Sequence, residues 1–206
     1  MKLKDDFDWA EYPTHYERIM HRDFFNQGID YIVDDFRVVN GNLVIWNNIH
    51  DNWREIYRLI WDLDVRSAYE CGCGPAFNLI NIHKMMPYVG VNGGDISKDQ
   101  IDLGYKYFHL DDYYFCDTLK VVDFSKPVRS IGKYGFVFTN AVVMHLSHNG
   151  ALTFLKNMGD MSNKYIFLVE NTTCHDFDSL IKEALPDFKK IENRKHIDYG
   201  ILLEKI

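Results

Sequence analysis

The sequence has few cysteines, no long apolar run and no apolar leader. Only four of its 206 residues are cysteines, whereas small secreted proteins held together by disulfides are usually shorter and richer in cysteine. No apolar run approaches the ~20 residues that a membrane-spanning helix needs. The start turns acidic at Asp5 and Asp6 and lacks the apolar core of a signal peptide. We therefore expect a soluble, cytoplasmic protein with no membrane partner.

Basic residues are also in the minority. Lysine and arginine number 23 against 30 acidic residues, which gives a formal net charge of -7. Proteins that bind nucleic acid usually present a basic face, so we expect no nucleic-acid partner. The chain is 47% hydrophobic and 15% aromatic, a composition that excludes disorder. Its length fits one compact domain.

The first fifty residues differ in pattern from the rest. Trp9–Phe25 and the segment IDYIVDDF read as short aromatic helices, and Asn40-Gly41 stands between two apolar runs. An Asn-Gly pair in that setting is a strong signal for a hairpin turn. We expect residues 1–50 to form a cap over a domain that spans residues 51–206.

After residue 50, strand-like and helix-like stretches alternate. The predicted strands are VRSAYE, PYVGVNGGD, a segment within YYFCDTLKVVDF, YGFVFTNAVV, KYIFLVEN, and short strands at FKKI and YGILLEKI. This alternation is typical of a mostly parallel sheet with helices on both faces. The segment ENRKHID is too short for a crossover helix, so the last two strands should form an antiparallel hairpin.

The helices between these strands carry recognisable start signals. Asp51 or Asn52 is expected as the N-cap of the first, whose tryptophan Trp53 is assigned to the core or the helix surface. Ser97 and Gln100 have the spacing of a capping box. These signals support the α/β reading of residues 51–206.

The segment YECGCGPAFNL (69–79) has two glycines and two cysteines at the end of the first predicted strand of the domain. A dinucleotide site would need a third glycine where Phe77 stands. Cys71 and Cys73 are one residue apart, unlike the usual two-residue spacing of a zinc knuckle. We expect no metal here and interpret the thiols as core residues. Glycines at such a turn permit left-handed backbone and close approach of a ligand.

The pattern Glu70, Gly72, Gly74 and Ala76 resembles motif I of class I S-adenosylmethionine-dependent methyltransferases, with alanine in place of the last glycine. VNGGDIS (91–97) is similar to the end of the second strand of that family, FCDT (115–118) to the end of its third, and YGFVFTNAVVMHLS (134–147) to its fourth strand and the following loop. The resemblance covers residues 50 to 206 and implies a Rossmann-like methyltransferase fold.

The resemblance also implies a cofactor, S-adenosylmethionine, whose product is S-adenosylhomocysteine. The residues placed beside it are Glu70, Gly72, Gly74, Ala76, Asp95, Ile96, Asp117, Thr118 and Asn140. In this family the second-strand acid accepts the ribose hydroxyls, which is Asp95 here, and the third-strand acid accepts the adenine amino group. Gly135 stands where the family often carries an aspartate, so no mechanism that needs a carboxylate there is expected.

Two candidate residues concern the reaction itself. His145 lies in the loop after the fourth strand and is the candidate general base; the alternative is that it caps or packs the following helix. Tyr16 lies in the N-terminal segment and is a candidate lid residue over the sulfonium, although such aromatics usually pack against a core.

The class of the methyl acceptor is inferred by excluding other classes. The fourth strand ends in TNAV rather than the Asn/Asp-Pro-Pro-aromatic motif, and no Pro-Cys nucleophile is present. A small-molecule acceptor methylated on nitrogen or oxygen by in-line displacement is expected. The alternatives are an inert S-adenosylmethionine-binding partner of the same fold, a protein acceptor, or a reaction other than methyl transfer.

Overall fold

The structure, a computed structural model, describes residues 36–39, 42–45, 51–108, 118–129, 131–191 and 200–206. In chain order its elements are β1 (Phe36–Val39), β2 (Asn42–Ile45), α1 (Asp51–Asp62), β3 (Ser67–Cys71), α2 (Phe77–Met85), β4 (Gly90–Asp95), α3 (Lys98–Phe108), β5 (Leu119–Val121), β6 (Tyr134–Asn140), a 3-10 helix (Val143–His145), α4 (His148–Met161), β7 (Ser162–Val169), α5 (Phe177–Ala184), β8 (Phe188–Lys190) and β9 (Ile201–Lys205).

Seven strands form one sheet in the order β5-β4-β3-β6-β7-β9-β8. The first five strands of this order, from β5 through β4, β3 and β6 to β7, are all parallel to their neighbours. By contrast, β9 is antiparallel to both of its neighbours, β7 and β8. The predicted C-terminal hairpin is therefore confirmed, and β9 lies inside the sheet. The strand order reverses between β3 and β6, and open sheets of this kind bind ligands at such a reversal.

The sheet is covered on both faces because its central strands alternate between two apolar clusters. In β6, Phe136 and Phe138 pack in one cluster with α1 and α2, while Val137 packs in the other with α4 and α5. All three side chains are fully buried. Successive side chains of a strand point to opposite faces, and each buried one contributes ~1.5–3 kcal/mol. The continuous apolar run of this strand is thus explained.

Two local predictions for the N-terminal side have different outcomes. The strands β1 and β2 pair antiparallel with Val39 opposite Asn42, as the Asn-Gly signal predicted. The N-cap prediction is wrong, because α1 begins at Asp51 itself. Asp51 instead forms an ion pair with Arg54 at 3.4 Å within the first turn, where a negative charge suits the helix dipole.

The helices that the structure describes include none that is both long and apolar enough to cross a membrane.

Candidate functional site

An open pocket lies at the carboxyl ends of the parallel strands, beside the reversal between β3 and β6. Its empty volume is about 1100 Å³, including the mouth. It is lined by segments that follow four strands: 72–75 after β3, 95–96 at the end of β4, 122–125 after β5 and 140–142 after β6. Trp53 of α1 also lines the pocket and stacks on Phe77 with ring centroids 6.4 Å apart, although the sequence suggested no site role for it.

The glycine turn has an unusual backbone. Gly72 and Gly74 have φ of 78° and 51°, and Ala76 has φ of 66°. Left-handed backbone costs a residue with a Cβ roughly 1–2 kcal/mol, so Ala76 occupies a position that favours glycine. The turn is fixed to the end of β4, since the N–H groups of Gly72 and Cys73 both donate to Gly94 O, at 2.7 and 3.0 Å.

The two glycines of the turn serve different purposes. A Cβ built on Gly72 would lie 2.4 Å from Cγ2 of Val142, so this glycine makes room for the loop after β6. Gly72 also lines the pocket, and its contact with the cofactor stays a prediction. A Cβ on Gly74 would have only Gln100 Oε1 near it, at 3.8 Å. Gly74 is therefore where main chain faces the cavity.

Asp95 connects this turn to α3. Its Oδ2 accepts from the Gly74 N–H and its Oδ1 from the Ser97 N–H, both at 2.8 Å. The side chain is only 8% exposed, and burial raises the pKa of this carboxyl despite the two backbone donors. Asp95 and the half-exposed Ile96 both line the pocket, and a role of Asp95 in binding ribose hydroxyls stays a prediction.

The predicted capping box is only half formed. Gln100 N–H donates to Ser97 Oγ at 3.3 Å, but the Ser97 N–H is taken by Asp95. The Gln100 side chain is therefore turned to the pocket, which it lines.

Glu70 lies at the head of a buried chain of hydrogen bonds. Its Oε1 accepts from Asn78 Nδ2 at 2.7 Å, Asn78 Oδ1 accepts from the Tyr57 hydroxyl at 2.8 Å, and Tyr57 OH accepts from Asn81 Nδ2 at 3.1 Å. Burial, together with the nearby charge of Asp95, raises the pKa of Glu70 to about 8. The network fixes Oε1 and leaves Oε2 without a hydrogen-bond partner among the described residues.

Three buried oxygens of the pocket wall have no hydrogen-bond partner among the described residues. They are Glu70 Oε2, Gln100 Oε1 and Asn140 Oδ1. Buried polar atoms are almost always paired, so three unpaired oxygens on residues of one pocket are compatible with a ligand that carries hydrogen-bond donors. S-adenosylmethionine offers an ammonium, two ribose hydroxyls and an amino group, and it fits this requirement.

The loop after β6 forms another part of the pocket wall and packs against the glycine turn at Val142. It begins with Ala141, whose φ is 57°, directly after Asn140 at the end of β6, and continues into the 3-10 helix that ends at His145. His145 lines the pocket, and burial lowers the pKa of its imidazole. The N-cap of α4 is Ser147, whose side chain accepts from Gly150 N–H at 3.2 Å, so His145 is not the N-cap of that helix. Its role as general base stays a prediction, and so does the alternative that it packs against α4.

Glu170, directly after β7, was missed by the sequence reasoning. Its carboxylate accepts from three successive backbone N–H groups of this loop, those of Val142, Val143 and Met144, at 3.0, 3.1 and 3.1 Å. Burial raises its pKa to about 7. The only sequence signal was an acid directly after the apolar run KYIFLV.

The prediction for the third strand is misplaced. Thr118 precedes β5 rather than following it, and its carbonyl accepts from Gly93 N–H at 3.0 Å. Asp123 instead follows the carboxyl end of β5 and lines the pocket, with Oδ1 accepting from Ser125 N–H at 3.0 Å. The segment LKVVDF carried that signal, an apolar stretch followed by an acid. Asp117 and Tyr16 lie outside the described residues.

The cysteines of the glycine turn are buried. Cys71 is 0% and Cys73 6% exposed, and burial raises the pKa of both thiols. Within the described parts of the chain, no three histidine, cysteine or acidic residues are grouped to hold a metal ion.

No protein-family model matches the chain, and no curated protein matches it in sequence. Solved structures do match. The methyltransferase domain of bacterial CtHen1-CN is 9% identical, covers 76% of this chain and 98% of its own, and has a TM-score of 0.59. The StiE O-MT segment 961-1257 is 13% identical, covers 73% of this chain and 72% of its own, and has a TM-score of 0.52. TrmN from Thermus thermophilus is 14% identical, covers 68% of this chain and 44% of its own, and has a TM-score of 0.53.

Several other matched structures are longer, and the alignment covers only 40% to 52% of their length. At such low identities the likeness establishes the fold alone. The described domain has the Rossmann-like fold of class I S-adenosylmethionine-dependent methyltransferases, as predicted.

Proposed function

We propose that this chain is an S-adenosylmethionine-dependent methyltransferase that methylates a nitrogen or oxygen atom of a small molecule. The observation that carries the proposal is the set of three unpaired acceptors, Glu70 Oε2, Gln100 Oε1 and Asn140 Oδ1, around the pocket of a methyltransferase fold. The carboxylates of Asp95 and Asp123, which line this pocket, add negative charge. A cationic cofactor complements that charge.

Each of these groups has a part in holding the cofactor. Glu70 Oε2 would accept from the ammonium, Asp95 from the ribose hydroxyls and Asp123 from the adenine amino group. The main chain at Gly74 would contact the cofactor directly, because among the described residues only Gln100 Oε1, at 3.8 Å, lies near the place of its missing Cβ. Asn140 is available to the methionine end through its buried Oδ1.

The bound cofactor supplies a methyl group together with its own leaving group. The chain then has to hold the acceptor in line, exclude water and remove a proton where the acceptor carries one. His145 suits the last task, since burial lowers its pKa and keeps its imidazole in the neutral, basic form near pH 7. Leu146 and Phe154, which also line the pocket, supply apolar surface that excludes water.

The acceptor class is tested by incubating the purified protein with methyl-labelled S-adenosylmethionine and a lysate separated into small and large molecules. The proposal predicts label in the small-molecule fraction together with S-adenosylhomocysteine. Label in protein would replace the small-molecule acceptor by a macromolecule. Cofactor consumption without S-adenosylhomocysteine would indicate chemistry other than transfer, and no consumption with any fraction would favour an inert binding protein.

A further inference from the structure

One carboxylate holds the loop that forms a wall of the pocket. Glu170 Oε1 accepts from Val142 N–H and Val143 N–H at 3.0 and 3.1 Å, and Oε2 accepts from Met144 N–H at 3.1 Å. Thr139 Oγ1 lies 3.5 Å from the same Oε1. Three consecutive amides that converge on one carboxylate fix the backbone direction of the loop, because charge-assisted hydrogen bonds are stronger than neutral ones.

The same loop is held from a second side. His175 Nε2 lies 3.0 Å from Val143 O, so this ring nitrogen carries the proton and donates. Val143 is thus bound at its N–H by Glu170 and at its carbonyl by His175. Upstream, Ala141 N–H donates to Val169 O at 2.8 Å, and its φ of 57° is strained for alanine.

These hydrogen bonds hold a loop whose residues line the pocket. The loop residues Ala141 and Val142 and the adjoining Asn140, His145 and Leu146 all line it. Val142 also fills the space left by the missing Cβ of Gly72, so the loop and the glycine turn are packed together. Glu170 itself is not among the residues that line the pocket.

We propose that Glu170 is a positioning residue, which holds the loop after β6 so that Asn140 and His145 face the cofactor and the acceptor. The inference rests on the proposed function and extends it to a residue that touches no reacting atom. His175 assists from the opposite side of Val143.

The test uses Glu170→Gln, which keeps the size of the side chain. The amide oxygen of the glutamine can still accept from the N–H groups of Val142 and Val143. Its NH₂ group takes the place of Oε2, so two donors face each other at Met144 N–H and that hydrogen bond is lost. Glu204→Gln is the matched control, since it removes a carboxylate from β9 that pairs with Lys189 at 3.5 Å and contacts no part of the loop. Both are compared with the unmodified chain below their melting temperatures.

Three quantities are measured. The first two, taken on the ligand-free protein, are the amide hydrogen exchange rates of Val142, Val143 and Met144 and the chemical shifts of the His145 ring. The third is the dissociation constant for S-adenosylhomocysteine. Glu170→Gln should accelerate exchange at Met144, shift the His145 ring signals and weaken binding roughly 10- to 100-fold, the loss of a hydrogen bond to a charged group. Glu204→Gln should change none of these.

A second pair of variants keeps the test independent of Glu170. His175→Gln retains a donor to Val143 O and should preserve the binding of S-adenosylhomocysteine, whereas His175→Ala should weaken it. Unchanged exchange and unchanged binding in Glu170→Gln would overturn the inference, as would faster exchange with unchanged binding. If the unmodified chain itself binds no S-adenosylhomocysteine, the proposed function fails, while the exchange rates and His145 shifts still decide whether Glu170 positions the loop.

Discussion

Replacing Glu70 by glutamine should stabilise the fold and weaken cofactor binding at the same time. The carboxyl is 2% exposed, and burial raises its pKa from the ordinary 4.5 to about 8. Because the pKa is raised in the folded state, the contribution of Glu70 to stability is fully present below pH 4.5 and is lost as the pH rises through about 8. Ionising it in the folded protein costs up to roughly 5 kcal/mol, at about 1.4 kcal/mol per pH unit.

Glutamine cannot ionise, so the variant avoids this cost. Its amide oxygen can still accept from Asn78 Nδ2, which in the unmodified chain donates to Glu70 Oε1 at 2.7 Å. Chemical unfolding at about pH 5 and about pH 8.5 should show similar stability at the lower value and a more stable variant, by roughly 2–5 kcal/mol, at the higher. Glu183→Gln, an exposed change on α5, is the control and should not alter the pH dependence.

Binding should change in the opposite direction. The NH₂ group of glutamine replaces Glu70 Oε2, the oxygen assigned to the cofactor ammonium, and affinity for S-adenosylhomocysteine should fall roughly 10- to 100-fold. Near pH 7 the ammonium should also expel the proton from Glu70 on binding. Titrations in two buffers of different ionisation enthalpy should detect that release in the unmodified chain and not in the variant. A variant with unchanged affinity, or with the pH dependence of the unmodified chain, would refute the role of Glu70.

Three further variants test the glycine turn, the candidate base His145, and Asp95 at the end of β4. Gly72→Ala should lose roughly 2–4 kcal/mol of unfolding free energy through left-handed strain and overpacking on Val142; Val142→Ala should restore part of it, and additive effects would contradict the contact. His145→Gln should keep S-adenosylhomocysteine affinity while lowering methyl transfer to a protic acceptor roughly 100- to 10,000-fold, and an unchanged rate would exclude it as base. Asp95→Ala should weaken binding by ~1–3 kcal/mol and speed exchange of the Gly74 amide; an effect near zero on binding would remove Asp95 from the site.

The elements that sequence predicts well are those whose pattern is local. The run Phe136–Thr139 is buried throughout, so its apolar character already identified a central strand. The acid that ends β4 and the glycines of the turn were likewise visible, because strand, turn and helix follow one another directly in the chain. The C-terminal hairpin followed from the shortness of its connection.

The parts that sequence could not predict depend on contacts between distant segments. Glu170 bonds amides 26 to 28 positions away, and Tyr57 reaches Asn78 across 21 positions. Nothing local distinguishes these residues from other polar side chains near a core. Thr118 was misplaced because β5 is a short edge strand whose Lys120 and Val121 are exposed, so the aromatic stretch before it showed the stronger strand pattern.

Calorimetric titration of the purified chain with S-adenosylmethionine and S-adenosylhomocysteine, with NAD as control, tests the assignment of this pocket most directly. Micromolar binding of both sulfur ligands and no binding of NAD is the predicted result. The absence of binding by either sulfur ligand would contradict the cofactor assignment and leave the pocket of this methyltransferase fold to another ligand.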